Sequence, residues 1–200
     1  MSRREWKHGG EKIARHAVEA FSLPIVIKPA DRGSSVGVTI ARQRGEIDRG
    51  IASAFTHSDA ILIQRYMDGT EVSCGVLEIE KKAMPLPPTE IVPLESNFFD
   101  YHAKYSPGAS EEITPARLPP ETIDRIQHTA LAAHRALGCS GMSRTDMIVA
   151  RNGAVAVLEI NTIPGLSEAS ILPKQAQAFD IASPEPLDLI IAAALRGEQC

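Results

Sequence analysis

Four polar residues in the stretch SRTDMIVARNGAVAVLEIN are spaced to do chemistry together: Arg144, Asp146, Glu159 and Asn161. Alternate residues of a strand share a face, so Arg144 joins Asp146 on one strand and Glu159 joins Asn161 on the next. Asn152-Gly153, between two alternating apolar runs, predicts a two-residue hairpin turn, because both central positions of such a turn need positive φ. That register pairs Arg151 with Ala154, sets Asp146 opposite Glu159 and Arg144 opposite Asn161, and gathers all four groups on one face. Like charges directly opposite on a sheet destabilise it, so two facing carboxylates call for a cation between them. Two carboxylates and an amide oxygen are hard ligands suited to Mg²⁺, which keeps waters and takes further ligands from phosphates. Arg144 beside them is placed to hold phosphate oxygens or charge that develops in a transition state. A solvated hairpin face with scattered charges explains these residues equally well when they are taken alone.

Lys28 ends the apolar run IVIK directly before the loop PADRGSSVG. Glycines allow close backbone approach and hydroxyls donate to phosphate oxygens, so this is a workable phosphate cradle. A flexible hairpin loop is the plain alternative, and the order of a P-loop or of G-x-G-x-x-G is absent. In ILIQRYMDGTE, strand backbone can pair with an adenine edge and Glu71 can accept from ribose hydroxyls, although a lone glutamate after a glycine turn is more often solvated surface. FFDYHAKY places Lys104 and Tyr105 among aromatics that pin a loop. The six histidines include no H-E-x-x-H, and no G-x-S-x-G elbow occurs, so zinc-protease and serine-hydrolase chemistry are excluded.

The elements that must position these residues follow from periodicity. Ile13, Ala17, Val18 and Phe21 predict a helix over 11–21, and Pro24 opens a short strand. Ile47, Ile51 and Phe55 predict a second helix, followed by strands over ILIQR, EVSCGVLEI and TEIVPL, the last two divided by PLPP, which no central strand accommodates. From 95 to 120 no period persists, as in lids and binding loops. ETIDRIQHTALAAHRALG reads as an amphipathic helix, with Pro120 near its start and Gly138 past its end. The 146/159 hairpin comes next, then helices ending in LDLIIAAALRG.

The chain has 200 residues, 44% of them hydrophobic and 23% charged, with a formal net charge of -4 and a pI near 5.9. These values suit an ordinary globular chain and give no footprint for nucleic acid or an anionic membrane. Three widely spaced cysteines form neither a zinc set nor a disulfide scaffold and point to a reducing cytoplasm. No export signal or membrane-spanning run is expected.

Five segments, in order and spacing, resemble the D-alanine:D-alanine ligases of the ATP-grasp superfamily: LPIVIKPADRGSSVGV, ILIQRYMDGTE, FDYHAKY, GCSGMSRTDMIV and LEINTIPGLSEASILP. The resemblance implies an α+β ATP-grasp fold with two α+β lobes enclosing the nucleotide: an N-terminal helix or tail over 1–21, a partial central lobe over 22–68, and a C-terminal lobe over 69–200 with a lid loop at 95–120. It implies that ATP phosphorylates one D-alanine and the amine of a second attacks the acyl phosphate. Lys28 would contact ATP phosphates, with Ser34, Ser35 and Gly37 in the closing loop and Lys104 nearby. Gln64, Arg65, Met67 and Glu71 would frame adenine and ribose. Asp146, Glu159 and Asn161 would hold two Mg²⁺ ions, for which Mn²⁺ could substitute. Arg144 and the Gly165 backbone would stabilise the tetrahedral oxyanion, Ser170 would bind the second amino acid's carboxylate, and Tyr105 with Ser34 would complete the catalytic set.

The chain departs from that family in having no recognisable N-terminal lobe, which in the family binds the first D-alanine. The expectation is a truncated product or fragment, or one that needs a separate N-terminal lobe; a homodimer is the other partner expected. Two other readings stay open: another ATP-grasp carboxylate-amine ligase, and a non-catalytic Mg-ATP-binding remnant acting as a partner subunit. Ile163 and Gln64 also depart from the family's usual residues.

Overall fold

A computed structural model describes residues 1–33, 35–80, 82–94, 110–181 and 185–195. The chain divides into two compact units, Met1–Met67 with Pro93–Ser110, and Asp68–Val92 with Glu111–Cys200.

The first unit is a three-stranded antiparallel sheet with helices on one face. Strand β1 (Ile25–Pro29) lies between β2 (Thr39–Ala41) and β3 (Ile61–Arg65). Helix α1 (Arg3–Phe21) starts earlier than its apolar spacing predicts, because Ser2 and Glu5 form a capping box that satisfies the first-turn N–H groups. The helix kinks at Gly9, where the backbone leaves helical φ/ψ. Helix α2 (Ile47–His57) buries Ile47, Ile51 and Phe55, the residues whose spacing predicts it. Both helices close over Ile25, Ile27, Ala41 and Ile61. Alternation therefore turns Val26 and Lys28 of β1, Ile40 of β2, and Leu62 and Gln64 of β3 to the opposite face.

The second unit is a six-stranded sheet with helices on both faces. Its strands are β4 (Gly69–Ile79), β5 (Lys82–Pro85), β6 (Thr89–Pro93), β7 (Ser110–Ile113), β8 (Met142–Ala150) and β9 (Val155–Asn161). The order is β7-β6-β4-β8-β9, with β5 paired to β4. Strand β7 forms inside the stretch 95–120, which carries no period in the sequence, because edge pairing rather than local pattern creates it. Helix α3 (Pro120–Ala136) covers Val72, Cys74, Val76, Met147 and Val149. On the other face, α4 (Ile171–Gln177) covers Leu77, Leu86 and Met142, with Leu189 and Ile190 of α5 (Glu185–Leu195) packed alongside. Leu77 and Leu172 are fully buried, each worth about 1.5–3 kcal/mol of hydrophobic burial.

The hairpin reaches its expected pairing by an unexpected route. The connection is the three-residue loop Arg151-Asn152-Gly153: Ala150 pairs with Ala154, Gly153 has φ 81, and its N–H donates to the Ala150 carbonyl at 2.8 Å. Three-residue loops place a glycine in the left-handed region in this way, so the two-residue turn is corrected. The pairs beside the loop run Val149↔Val155, Ile148↔Ala156 and Met147↔Val157, one residue out from the expected register. An irregularity between Asp146 and Met147 then absorbs Leu158 as an extra residue. Beyond it Asp146 faces Glu159 and Arg144 faces Asn161.

Candidate functional site

In the second unit the four polar residues of the hairpin share a face, and the carboxylate of Asp146 is their anchor. Asp146 is only 6% exposed. Its Oδ1 accepts from Ser73 Oγ at 2.7 Å and from Arg144 Nε at 3.0 Å, and its Oδ2 accepts from Arg144 Nη2 at 2.8 Å. The two-point fork is the geometry in which a guanidinium binds a carboxylate most firmly. Burial works to lower the Arg144 pKa, but the hydrogen bonds and charge of Asp146, with the charges of Glu159 and Glu112, outweigh it and raise the pKa further. Arg144 is therefore a fixed cation. The fork uses two of its five N–H donors, which leaves three for a ligand.

Glu159 is exposed beside this pair, and the Asn161 side chain oxygen accepts from the Ile163 N–H at 3.1 Å, turning the chain out of β9. Asp146, Glu159 and Asn161 together offer oxygen donors of the hard type that Mg²⁺ prefers. Among the described residues no three His, Cys, Asp or Glu side chains gather at one point, so a cation here would rest on two carboxylates, an amide oxygen, water and phosphate. That donor set fits Mg²⁺ better than a transition metal.

Gly165 and Ser170 meet as well. A Cβ placed on Gly165 would lie 2.6 Å from Ser170 Oγ, so a larger residue here would push that hydroxyl aside. Ser170 precedes α4 and its hydroxyl lies 2.8 Å from that of Ser167. Glu71 belongs to the second unit too, on β4, facing Ile148 two pairs along from Ser73↔Asp146 and so on the same side of the sheet.

In the first unit Lys28 and Gln64 are diagonal neighbours on the sheet face away from the helices, through the pairs Lys28↔Leu62 and Val26↔Gln64. Lys28 makes no hydrogen bond or ion pair to a described residue. Arg65 is adjacent to Gln64 and so points to the other side of β3, while Met67 follows the strand end. The glycine-rich loop is folded: Ser35 has φ 58 and Gly37 φ 72, and a Cβ on Gly37 would come 2.6 Å from the His57 ring. Arg32 Nε donates to the His57 carbonyl at 2.7 Å, tying the loop to the end of α2. Ser34, Lys104 and Tyr105 lie outside the described residues.

Sequence reasoning missed Ser73, Gln175 and Glu112. A serine inside the apolar run of β4 is the one available signal, since a buried hydroxyl demands a partner; nothing local marks Gln175 or Glu112.

The family model described as D-ala D-ala ligase C-terminus matches residues 1–192. A curated D-alanine--D-alanine ligase from Geotalea uraniireducens is 44% identical over 185 residues, covering 92% of this chain and 58% of its own length. The crystal structure of the VanG D-Ala:D-Ser ligase from Enterococcus faecalis superposes with a TM-score of 0.81 at 35% identity, covering 96% of this chain and 55% of that one. That of a D-alanine--D-alanine ligase from Bacillus anthracis complexed with ATP gives a TM-score of 0.74 at 30% identity, covering 90% of this chain and 55% of that one. The chain thus spans little more than half the length of each of these relatives.

Proposed function

Because the chain belongs to the D-ala D-ala ligase C-terminus family, we propose that it carries the nucleotide, metal and acceptor sites of an ATP-dependent ligase that joins two D-alanines. The observation that carries this reading is the pairing of Asp146 with Glu159 and of Arg144 with Asn161 on one sheet face. The ATP-bound relative supports the nucleotide assignment, and the family's name supports the substrate.

In this reading a carboxylate oxygen of the first D-alanine attacks the γ-phosphorus of ATP, the bond to the β-phosphate oxygen breaks, and ADP leaves. The amine of the second D-alanine then attacks the acyl carbon, the acyl–phosphate bond breaks, phosphate departs, and the amine loses a proton. Lys28, without a partner among the described residues, holds a phosphate as a point charge. The glycine-rich loop, tied to α2 by Arg32 and packed on His57 at Gly37, would offer backbone N–H groups to phosphate. Arg144 keeps its fork on Asp146 and directs its remaining donors at the negative oxygen of the tetrahedral stage. Donors of this kind contribute about 2.7–4 kcal/mol each in other enzymes. Ser170, held against Gly165, donates its hydroxyl to the carboxylate of the second amino acid. Asp146, Glu159 and Asn161 would hold Mg²⁺, which neutralises phosphate charge as the phosphoryl group moves.

The acceptor is the finer question, since one structural relative is named a D-Ala:D-Ser ligase. ADP release measured with D-alanine, D-serine and D-lactate as acceptors tests both levels. Release that needs D-alanine on both sides supports the reading; saturable ATP binding with no release for any acceptor favours a Mg-ATP-binding subunit that acts with another chain or lobe.

A further inference from the structure

Asp146 has a second support that its strand neighbour Arg144 does not supply. Ser73 sits directly across from it on β4, fully buried, and donates its hydroxyl to Oδ1 at 2.7 Å. Each carboxylate oxygen has about two acceptor sites. Ser73 and Arg144 Nε fill both sites on Oδ1, whereas Oδ2 carries, among the described residues, Arg144 Nη2 alone. One acceptor site therefore remains, on Oδ2.

Ser73 is itself held. Its carbonyl accepts from Gln175 Nε2 at 2.7 Å, and Gln175 Oε1 accepts from the Gly75 N–H at 2.9 Å. A third bond runs from Gln175 Nε2 to Thr89 Oγ1 at 3.0 Å. Strand β4 pairs with β6 only as far as Ser73 and with β5 from Val76 onward. Gln175 fills the gap with side-chain bonds and fixes the Ser73 backbone to α4, the helix that follows Ser170.

We infer that Ser73 is a positioning residue for Asp146: it saturates Oδ1, fixes the rotation of the carboxylate, and leaves Oδ2 as the oxygen that meets a divalent cation. This rests on the reading of Asp146 as a metal ligand. A cation takes the remaining acceptor site on Oδ2 beside Arg144 Nη2, and Ser73 is the donor that keeps the carboxylate from turning away. Hydrogen-bond partners of metal ligands act in this way, and their loss costs about 10- to 100-fold in metal affinity.

The test titrates Mn²⁺ into the full chain in the presence of ATP and reads free Mn²⁺ by electron paramagnetic resonance, for the native protein and for Ser73→Ala, Ser73→Cys, Ser73→Thr and Asp146→Asn. The cysteine variant preserves volume with only a weak donor, so it stands in where alanine leaves a void, and a metal-free thermal melt verifies that each variant folds. Mn²⁺ affinity is expected to fall about 10- to 100-fold in the alanine and cysteine variants and to stay near native in the threonine variant, which retains the hydroxyl. Native affinity in Ser73→Ala and Ser73→Cys, with binding lost in Asp146→Asn, overturns the role of Ser73 alone. Full binding in Asp146→Asn, or none in the native chain, overturns the metal site itself and this inference with it.

Discussion

The two units carry their polar residues in opposite ways. In the second, Asp146 is buried and held by three hydrogen bonds from Ser73 and Arg144 before any ligand arrives. In the first, Lys28 and Gln64 occupy a sheet face that neither α1 nor α2 covers, and Lys28 has no described partner. The energy of each site therefore resides in a different place. The second unit has built its electrostatics into the fold, so changes there reach both stability and binding. In the first, Lys28 is half-buried and Gln64 exposed, and neither is tied into a described charge network, so changes there reach binding alone.

The largest expected effect comes from breaking the built-in side of this contrast. Asp146→Ala leaves the mostly buried Arg144 guanidinium without its counter-charge, and urea unfolding should show a loss of about 3 kcal/mol, accompanied by loss of Mg-ATP binding. Lys28→Ala provides the counterpart. ATP affinity should fall at least about tenfold, since a hydrogen bond to a charged group contributes about 1.5–3 kcal/mol, while the same urea curve moves by less than about 0.5 kcal/mol. A Lys28 variant that unfolds would erase the distinction between the units.

Glu159→Gln sharpens the contrast inside the second unit. Glu159 is exposed and faces Asp146, so neutralising it relieves repulsion but also withdraws one of the charges that support Arg144. These effects oppose each other, and stability should stay within about 0.5 kcal/mol while Mg²⁺ affinity falls. The smallest effect is expected away from both sites. Glu90 pairs with Arg117 at 3.0 Å, and the Arg117 hydrogen bond holds the Glu90 carboxyl below its ordinary value. Its contribution is present above the ordinary glutamate range and is lost as pH falls through the lowered folded value. With Arg117 largely exposed, Arg117→Ala should cost no more than about 1 kcal/mol at neutral pH and flatten that acid-side loss.

Periodicity made α2 and α3 readable, because Ile47, Ile51 and Phe55 each point into a core and Pro120 opens α3. The hairpin is more instructive. A two-residue turn and an unbroken ladder predict Asp146 opposite Glu159, and that pairing is present, yet the loop has three residues and Leu158 bulges out to compensate. Two one-residue departures cancel where the polar groups stand. Strand β7 and the Ser73–Gln175 contact were illegible for a shared reason: both depend on partners distant in sequence, Gln175 lying 102 residues from Ser73, and no local pattern encodes such meetings. Glycine at 165 is understood only from its contact with Ser170.

The most direct test of the central claim is calorimetric titration of the native chain and of Glu159→Gln with ATP in Mg²⁺. Saturable binding by the native chain that the variant loses, with both unfolding at the same urea concentration, is the predicted result. Equal binding by the two, or heat from neither, would contradict the assignment of this sheet face as a metal–nucleotide site.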